Sequence, residues 1–159
     1  PQSRQVEHEG ELAVVIGKRC RGLGAGEPVA PYILGYTCLN DVTARDLQEG
    51  DKQWTRAKGF DTFCPLGPWI ETAPQPGPRP WDGLQVETWV NGEGRQRGST
   101  ADFIFSLERI LQEITAVMTL EPGDVIATGT PAGVGRLQPG DSVEVRIQGI
   151  GTLRSAVTG

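Results

Sequence analysis

Apolar residues along this chain fall into short runs separated by glycine, proline and polar residues. Residues 12–17 form a continuous apolar run rich in β-branched side chains, which is typical of a buried strand. Residues 84–90 alternate between apolar and polar positions, as a half-buried strand does. The other runs that predict strands lie at residues 32–40, 64–70, 125–128, 142–147 and 152–157.

Two local signals add a hairpin and a helix to these strands. Asn91-Gly92 favours a tight turn from which residues 94–97 return antiparallel. Ser99 and Thr100 are expected to open one long helix. Its apolar stripe, spaced four and three residues apart, would be Phe103, Leu107, Ile110, Ile114 and Val117. Together these elements predict a single mainly-β domain over residues 1–159, a mixed β-roll or sandwich with one long packing helix against one side.

Composition narrows the classes of protein to which the chain can belong. Its formal net charge is −5 and lysine and arginine form no cluster, so nothing favours a nucleic-acid or anionic-membrane partner. No apolar run approaches the roughly 20 residues that a membrane-spanning helix needs. Cys20, Cys38 and Cys64 form no CxxC pair, which argues against a disulfide framework or structural zinc and favours the cytoplasm. A Cys-His or Ser-His enzyme would have to use His8, the one histidine, and is not expected.

The most informative polar positions are two glutamates just ahead of the first apolar run. Glu9 and Glu11 are two residues apart, so on an extended chain their carboxylates project from the same face. Unpaired, they would repel each other and raise each other's pKa, whereas a hard divalent cation removes that conflict. Asp41 follows the strand at 32–40 and could supply a third oxygen ligand for Mg²⁺ or Mn²⁺. The alternative is that one glutamate faces solvent at a frayed strand start.

A short polar helix is predicted immediately after Asp41, over residues 42–48. Thr43 could cap it, with Asp46 three residues further on. Arg45 and Gln48 are also three residues apart, so both side chains can face one direction. The alternative is a solvated helical turn.

Two loops carry further candidate side chains. Residues 50–63 contain three aromatic residues, so this loop is expected to pack against the rest of the chain. If it covers the carboxylates, Lys58 would place a cation near substrate oxygen; otherwise Lys58 is a surface charge. The glycine-rich loop at 129–135 lacks the Lys-Ser/Thr pair of a P-loop, yet its backbone amides and the Thr130 hydroxyl could approach a small anion.

Five stretches of the chain resemble the fumarylacetoacetate hydrolase family. Residues 8–18 are similar to the metal-binding opening of that family, residues 40–48 to its second signature and residues 56–61 to its third. Residues 90–93 and 122–135 continue the match, so the resemblance covers nearly the whole chain in order. It implies the catalytic β-roll of the family, usually as a homodimer.

The resemblance also implies roles for particular side chains. The Mg²⁺ ligands, with Mn²⁺ as the alternative ion, would be Glu9, Glu11 and Asp41. The side chains lining the substrate site would be Arg45, Gln48, Lys58 and Thr130, of which Lys58 and Arg45 are the expected catalytic groups. His8 adjoins the first metal ligand and would support that ligand or bind substrate.

Family members act on small 2-oxo acids and their enols, which sets the chemistry that the resemblance implies. Three carboxylates on Mg²⁺ leave about three of six octahedral positions open for a chelating 2-oxo acid and water. C–C cleavage, decarboxylation and tautomerisation would share a metal-chelated enolate, and Lys58 would add a nearby cation. Residues 58–68 are most similar to members named 2-hydroxyhepta-2,4-diene-1,7-dioate isomerase, which favours an isomerase or decarboxylase of aromatic catabolism.

Two other interpretations stay open. Many family members carry a His and a Glu on a mobile lid ahead of the first signature, and we expect that such a segment is missing before Pro1. A lid upstream of Pro1 would favour an acylpyruvate-type C–C hydrolase, and an oxaloacetate decarboxylase is a further possibility within the family. The other interpretation is a non-catalytic metal-binding member. Burying three acids without a cation costs several kcal/mol, which argues that their convergence serves chemistry.

Overall fold

Eleven strands form three antiparallel sheets in the computed structural model of the protein, which describes residues 2–158. The strands are β1 (Val6–His8), β2 (Gly10–Ile16), β3 (Ile33–Asn40), β4 (Thr43–Ala44), β5 (Leu66–Glu71), β6 (Gln85–Val90), β7 (Glu93–Ser99), β8 (Val125–Ala127), β9 (Gly135–Arg136), β10 (Ser142–Ile147) and β11 (Gly151–Ala156). The helices are α1 (Arg45–Gly50), α2 (Thr55–Lys58) and α3 (Leu107–Val117), and 3₁₀ turns lie at Ala30–Tyr32 and Thr100–Asp102. Within this part of the chain, no helix is both long and apolar enough to cross a membrane.

Two four-stranded sheets enclose the core of the protein. Their strand orders are β5-β3-β2-β8 and β11-β10-β6-β7, and a small third sheet has the order β4-β1-β9. Apolar side chains of β2 and β3 meet those of β6, β10 and β11 in one buried cluster, to which α3 contributes Leu107 and Leu111. This architecture confirms the predicted mainly-β fold with a packing helix.

Strand β2 positions the polar residues that matter for function. All seven of its residues are buried, because it runs through the centre of its sheet between β3 and β8. Its register pairs Gly10 with Asn40, so the start of β2 lies opposite the end of β3. The backbone N–H of Asp41 donates to the carbonyl of Glu9 at 2.8 Å, which brings these two acidic residues together.

The hairpin predicted from Asn91-Gly92 is confirmed. Both residues have positive φ, 52° for Asn91 and 81° for Gly92, and the pair joins β6 to β7. Such φ values at both central positions match the twist of the flanking strands. The returning strand β7 is longer than predicted and carries Gln96 into the interior.

The predicted start of the long helix is wrong. Ser99 caps only the short 3₁₀ turn, and the backbone leaves the helical conformation at Phe103 (φ −55°, ψ 129°). Helix α3 begins after Ser106, whose hydroxyl accepts from the N–H of Arg109 at 3.3 Å. Val117 is 76% exposed. The buried face therefore consists of Leu107, Leu111 and Thr115, flanked by the partly buried Ile110 and Ile114.

The short helix after Asp41 also begins later than predicted. Thr43 and Ala44 pair with β1 as strand β4, and this pairing delays the helix to Arg45. The Thr43 hydroxyl donates to the carbonyl of Asp41 at 2.8 Å and does not cap the helix.

Candidate metal and active site

The three carboxylates singled out in the sequence converge in the structure. Glu9, Glu11 and Asp41 each offer an oxygen, and these oxygens lie within 4.8 Å of one another. Both glutamates are buried, and Asp41 is partly exposed. A cluster of three anionic oxygens of this kind matches the ligands that hard divalent cations take in proteins. The residues could thus hold a metal ion.

Asn40 holds the backbone of the first glutamate in place. Its side chain is 2% exposed, and its Oδ1 accepts from the N–H of Glu9 at 2.9 Å. Together with the Asp41 N–H, this contact satisfies both backbone groups of Glu9. The end of β3 therefore fixes the position of the carboxylate that lies between β1 and β2.

Lys58 contacts two of these three carboxylates. Helix α2 places its Nζ 3.0 Å from Glu9 Oε2 and 3.1 Å from Thr43 Oγ1, and Nζ also donates to Asp41. Burial would lower the pKa of this ammonium, but the hydrogen bonds to Asp41 and Glu9 outweigh burial and raise that pKa above its ordinary value. From this loop, Lys58 thus reaches two of the three carboxylates as a cation, while Trp54 of the same loop is exposed.

Arg45 forms a second cationic contact from the first turn of α1. Its Nε donates to Glu7 Oε2 at 2.9 Å, and its two terminal nitrogens donate to Glu9 and to Gln48. The contact with Gln48 confirms that the two side chains face one direction. Three of the five guanidinium N–H groups are used in these bonds, which leaves two for another partner.

Glu11 differs from the other two carboxylates because it makes no ion pair within residues 2–158. Its Oε2 accepts from the backbone N–H of Gly129 at 2.7 Å, so the anion that the glycine-rich loop approaches is this carboxylate. Burial raises the pKa of Glu11 to about 7, helped by the charges of Asp41 and Glu9 and opposed by the Gly129 hydrogen bond. A cation bound here would lower the cost of keeping the buried Glu11 carboxylate ionised.

Thr130 and His8 lie in a neutral network around Gly10. The Thr130 hydroxyl donates to the carbonyl of Gly10 at 2.9 Å and accepts from Gln96 Nε2 at 2.8 Å. His8 Nδ1 lies 3.0 Å from Gln96 Oε1, and its ring is 1% exposed. Burial lowers the pKa of His8, and such burial favours a supporting role over the predicted substrate contact.

Sequence reasoning assigned no role in the site to four polar residues that hold this arrangement together: Glu7, Asn40, Thr43 and Gln96. Asn40 precedes Asp41 and Thr43 follows it by two residues, so their closeness in sequence to a predicted metal ligand was a signal for them. Glu7 continues the alternation of Glu9 and Glu11 by two more residues. Gln96 had no comparable signal, because its strand has no apolar alternation.

Comparisons with known proteins identify relatives of this chain. A protein of Methanocaldococcus jannaschii, itself uncharacterized, is 52% identical over 155 residues, which cover 98% of this chain and 63% of the relative. The oxaloacetate tautomerase YisK of Bacillus subtilis is 45% identical over 162 residues, which cover 96% of this chain and 52% of the relative. This chain thus spans between half and two thirds of the length of these two relatives.

A solved structure and a family profile agree with the sequence relatives. The 2-hydroxyhepta-2,4-diene-1,7-dioate isomerase of Mycobacterium marinum superposes with a TM-score of 0.92 at 50% identity, covering 99% of this chain and 60% of that chain. The profile of the fumarylacetoacetate (FAA) hydrolase C-terminal family matches residues 1–158. The resemblance seen in the sequence is confirmed: this chain belongs to the fumarylacetoacetate hydrolase C-terminal family.

Proposed function

We propose that this chain is the catalytic domain of a divalent-metal-dependent enzyme that acts on 2-oxo or enol diacids, of isomerase or decarboxylase type. The observation that carries the proposal is the convergence of Glu9, Glu11 and Asp41 within 4.8 Å beside the Lys58 ammonium. All the donors are carboxylate oxygens, which fits Mg²⁺, with Mn²⁺ as the alternative. When bound there, the ion supplies Lewis-acid polarisation of the 2-oxo or enol oxygen of the substrate.

The side chains around the carboxylates have defined tasks in this proposal. Lys58 lies beside Glu9 and Asp41 and stabilises negative charge that develops on the substrate. Arg45 keeps two free N–H donors for a substrate carboxylate, and Gln48 keeps its amide nitrogen, since only its oxygen is used by Arg45. A diacid is thus a better match than a neutral substrate.

The names of two relatives support the substrate class. Oxaloacetate and 2-hydroxyhepta-2,4-diene-1,7-dioate are both dicarboxylates that carry an oxygen function beside one carboxylate. Tautomerase and isomerase describe proton relocation, which needs no activated water. A C–C hydrolase is the second candidate, favoured by the hydrolase description of the family.

Turnover by the full-length protein with and without Mg²⁺ tests the proposal. The substrates are oxaloacetate, acetylpyruvate and 2-hydroxyhepta-2,4-diene-1,7-dioate, the last followed by loss of its ultraviolet absorbance. Metal-dependent proton relocation or CO₂ release supports the isomerase or decarboxylase, whereas cleavage of acetylpyruvate favours the hydrolase. If none of the three substrates is turned over while calorimetry shows Mg²⁺ binding, the result would favour a non-catalytic member of the family and contradict the proposal.

A further inference from the structure

Gln96 is the one buried residue of β7, and its amide orientation is determined by two backbone groups. The N–H of Gly10 lies 3.0 Å from Oε1, and the carbonyl of Pro131 lies 2.8 Å from Nε2. A backbone N–H can only donate and a backbone carbonyl can only accept, so the oxygen and nitrogen of this amide cannot be exchanged. His8 Nδ1 must therefore donate to Oε1 as well.

The same amide closes a ring of three hydrogen bonds. Gln96 Nε2 donates to Thr130 Oγ1, the Thr130 hydroxyl donates to the carbonyl of Gly10, and the N–H of Gly10 donates back to Gln96 Oε1. The distances are 2.8, 2.9 and 3.0 Å in that order. Gly10 is the residue between Glu9 and Glu11, so the ring joins the acidic segment to the loop that carries Thr130.

The ring determines what the Thr130 hydroxyl can offer to another molecule. A hydroxyl group has one hydrogen and two lone pairs. Here the hydrogen is used by Gly10 and one lone pair by Gln96, so Thr130 retains one acceptor and no donor. A substrate with its own O–H donor, such as an enol, matches this state better than a 2-oxo form does.

We infer that Gln96 is a positioning residue that holds the Thr130 hydroxyl as a hydrogen-bond acceptor and thereby favours an enol substrate. The inference rests on the proposed function, because Thr130 has to line the substrate site. Gln96 itself is buried, and it acts through Thr130 without touching the substrate.

Gln96→Glu is the most direct test, because it keeps the size of the side chain and replaces the Nε2 donor by an acceptor. The Thr130 hydrogen can then turn toward the new carboxylate. We expect kcat/KM for the enol diacid to fall by about ten- to hundredfold, as for other supporting residues. The Mg²⁺ dissociation constant from calorimetry should stay within about threefold, because Glu9, Glu11 and Asp41 are unchanged. A parallel loss of Mg²⁺ affinity would overturn the inference.

A double-mutant cycle with Thr130→Val asks whether the effect passes through Thr130. If it does, Gln96→Glu in the Thr130→Val background should cost less than about twofold in kcat/KM. Gln96→Met, a neutral side chain of similar length, repeats the cycle in case the new charge prevents folding. Gln85→Met is the matched control, because Gln85 lies exposed on the neighbouring strand β6.

The outcomes separate this inference from the function on which it rests. Wild-type protein without metal-dependent turnover would overturn both. An active wild type with additive effects in the cycle, or folded Gln96 variants with normal kcat/KM, would overturn the positioning role alone.

Discussion

The two sides of the segment from His8 to Glu11 are built in opposite ways. On one side, the carboxylates of Glu9 and Glu11 lie beside Asp41, and Glu9 pairs with the cations Lys58 and Arg45. On the other side, His8 and the backbone of Gly10 meet neutral amide and hydroxyl groups from β7 and from the loop after β8. Alternation along an extended chain puts neighbouring side chains on opposite faces, so one short segment serves both environments.

The two sides differ in how freely their polar groups can change partners. Ion pairs on the charged side are partly solvated and can exchange partners when a metal or a substrate arrives, since Lys58 is 21% and Arg45 19% exposed at the side chain. On the neutral side, the Gln96 amide uses both its oxygen and its nitrogen in hydrogen bonds within a buried setting. Satisfied buried networks favour one arrangement strongly. The neutral side thus holds the Gly10 backbone and the Thr130 hydroxyl in one arrangement while the charged side changes its partners.

Removing one acid should damage the charged side alone, and it gives the largest expected effect. Glu11→Ala should abolish metal-dependent turnover, about 10³-fold or more, because a metal contributes several kcal/mol to transition-state stabilisation. The protein should stay folded, because removal of Glu11 also removes an unfavourable buried charge. Activity assays and circular dichroism check both points. Glu113→Ala, an exposed glutamate on α3, is the control, and surviving activity would show that the site assignment is wrong.

Removing the cation tests whether charge on this side acts in catalysis. Lys58→Met should lower kcat by about 10²–10³-fold, the usual loss for one electrostatic stabiliser. Lys52→Met, an exposed lysine in the same loop, should leave kcat unchanged. Steady-state kinetics at saturating Mg²⁺ measure both variants. A normal kcat in Lys58→Met would make Lys58 a counter-ion for the carboxylates and nothing more.

The charged side could largely be predicted from the sequence, whereas the neutral side could not. Glu9 and Glu11 form a local pattern ahead of an apolar strand, and Asp41 ends the next predicted strand. Gln96 lies 86 residues from Gly10, in a polar strand whose burial depends on how the sheets pack. Local periodicity contains no information about such a contact.

The helix shows the same limit at shorter range. Ser99 and Ser106 are both acceptable N-caps, and the apolar spacing continues through Phe103 between them. The backbone at Phe103 is not helical, so Ser99 caps only a 3₁₀ turn and Ser106 caps α3. This choice between the two serines comes from tertiary packing.

The stability of the metal-free protein should depend on pH through Glu11, a residue of the charged side. The pKa of Glu11 is about 7 in the folded state against an ordinary value of 4.5, so the folded state binds the proton more tightly. The contribution of Glu11 to the free energy of unfolding should therefore be largest below pH 4.5 and should fall as pH rises from 4.5 to 7. The total loss is on the order of 3 kcal/mol.

Urea denaturation at several pH values, in the presence of a chelator, measures the slope of the free energy of unfolding against pH. Glu11→Gln should flatten it, because the amide does not titrate. Saturating Mg²⁺ should reverse it in the wild type, because the metal competes with the proton for the carboxylate. A slope that persists in Glu11→Gln would assign the pH dependence to another group.

The last prediction concerns Gly10, the residue that both sides share. A Cβ at this position would lie 2.0 Å from Thr88 Oγ1 of β6, a hydroxyl that is buried without a hydrogen-bond partner in the described chain. Gly10→Ala should therefore lower the free energy of unfolding by about 1–3 kcal/mol, as overpacking does. Gly50→Ala, at an exposed position with no atom within 4 Å of the added Cβ, should have little effect.

Thr88→Ala provides the compensating change, because it removes the clashing hydroxyl without leaving a partner unsatisfied. The double variant Gly10→Ala/Thr88→Ala should regain most of the stability lost in Gly10→Ala, with the free energy of unfolding measured in urea. Mg²⁺ affinity should follow stability in this pair, because Gly10 carries a ligand on either side. If stability returns while Mg²⁺ affinity does not, the packing of Gly10 against β6 does not set the positions of Glu9 and Glu11, and this link between the two sides is wrong.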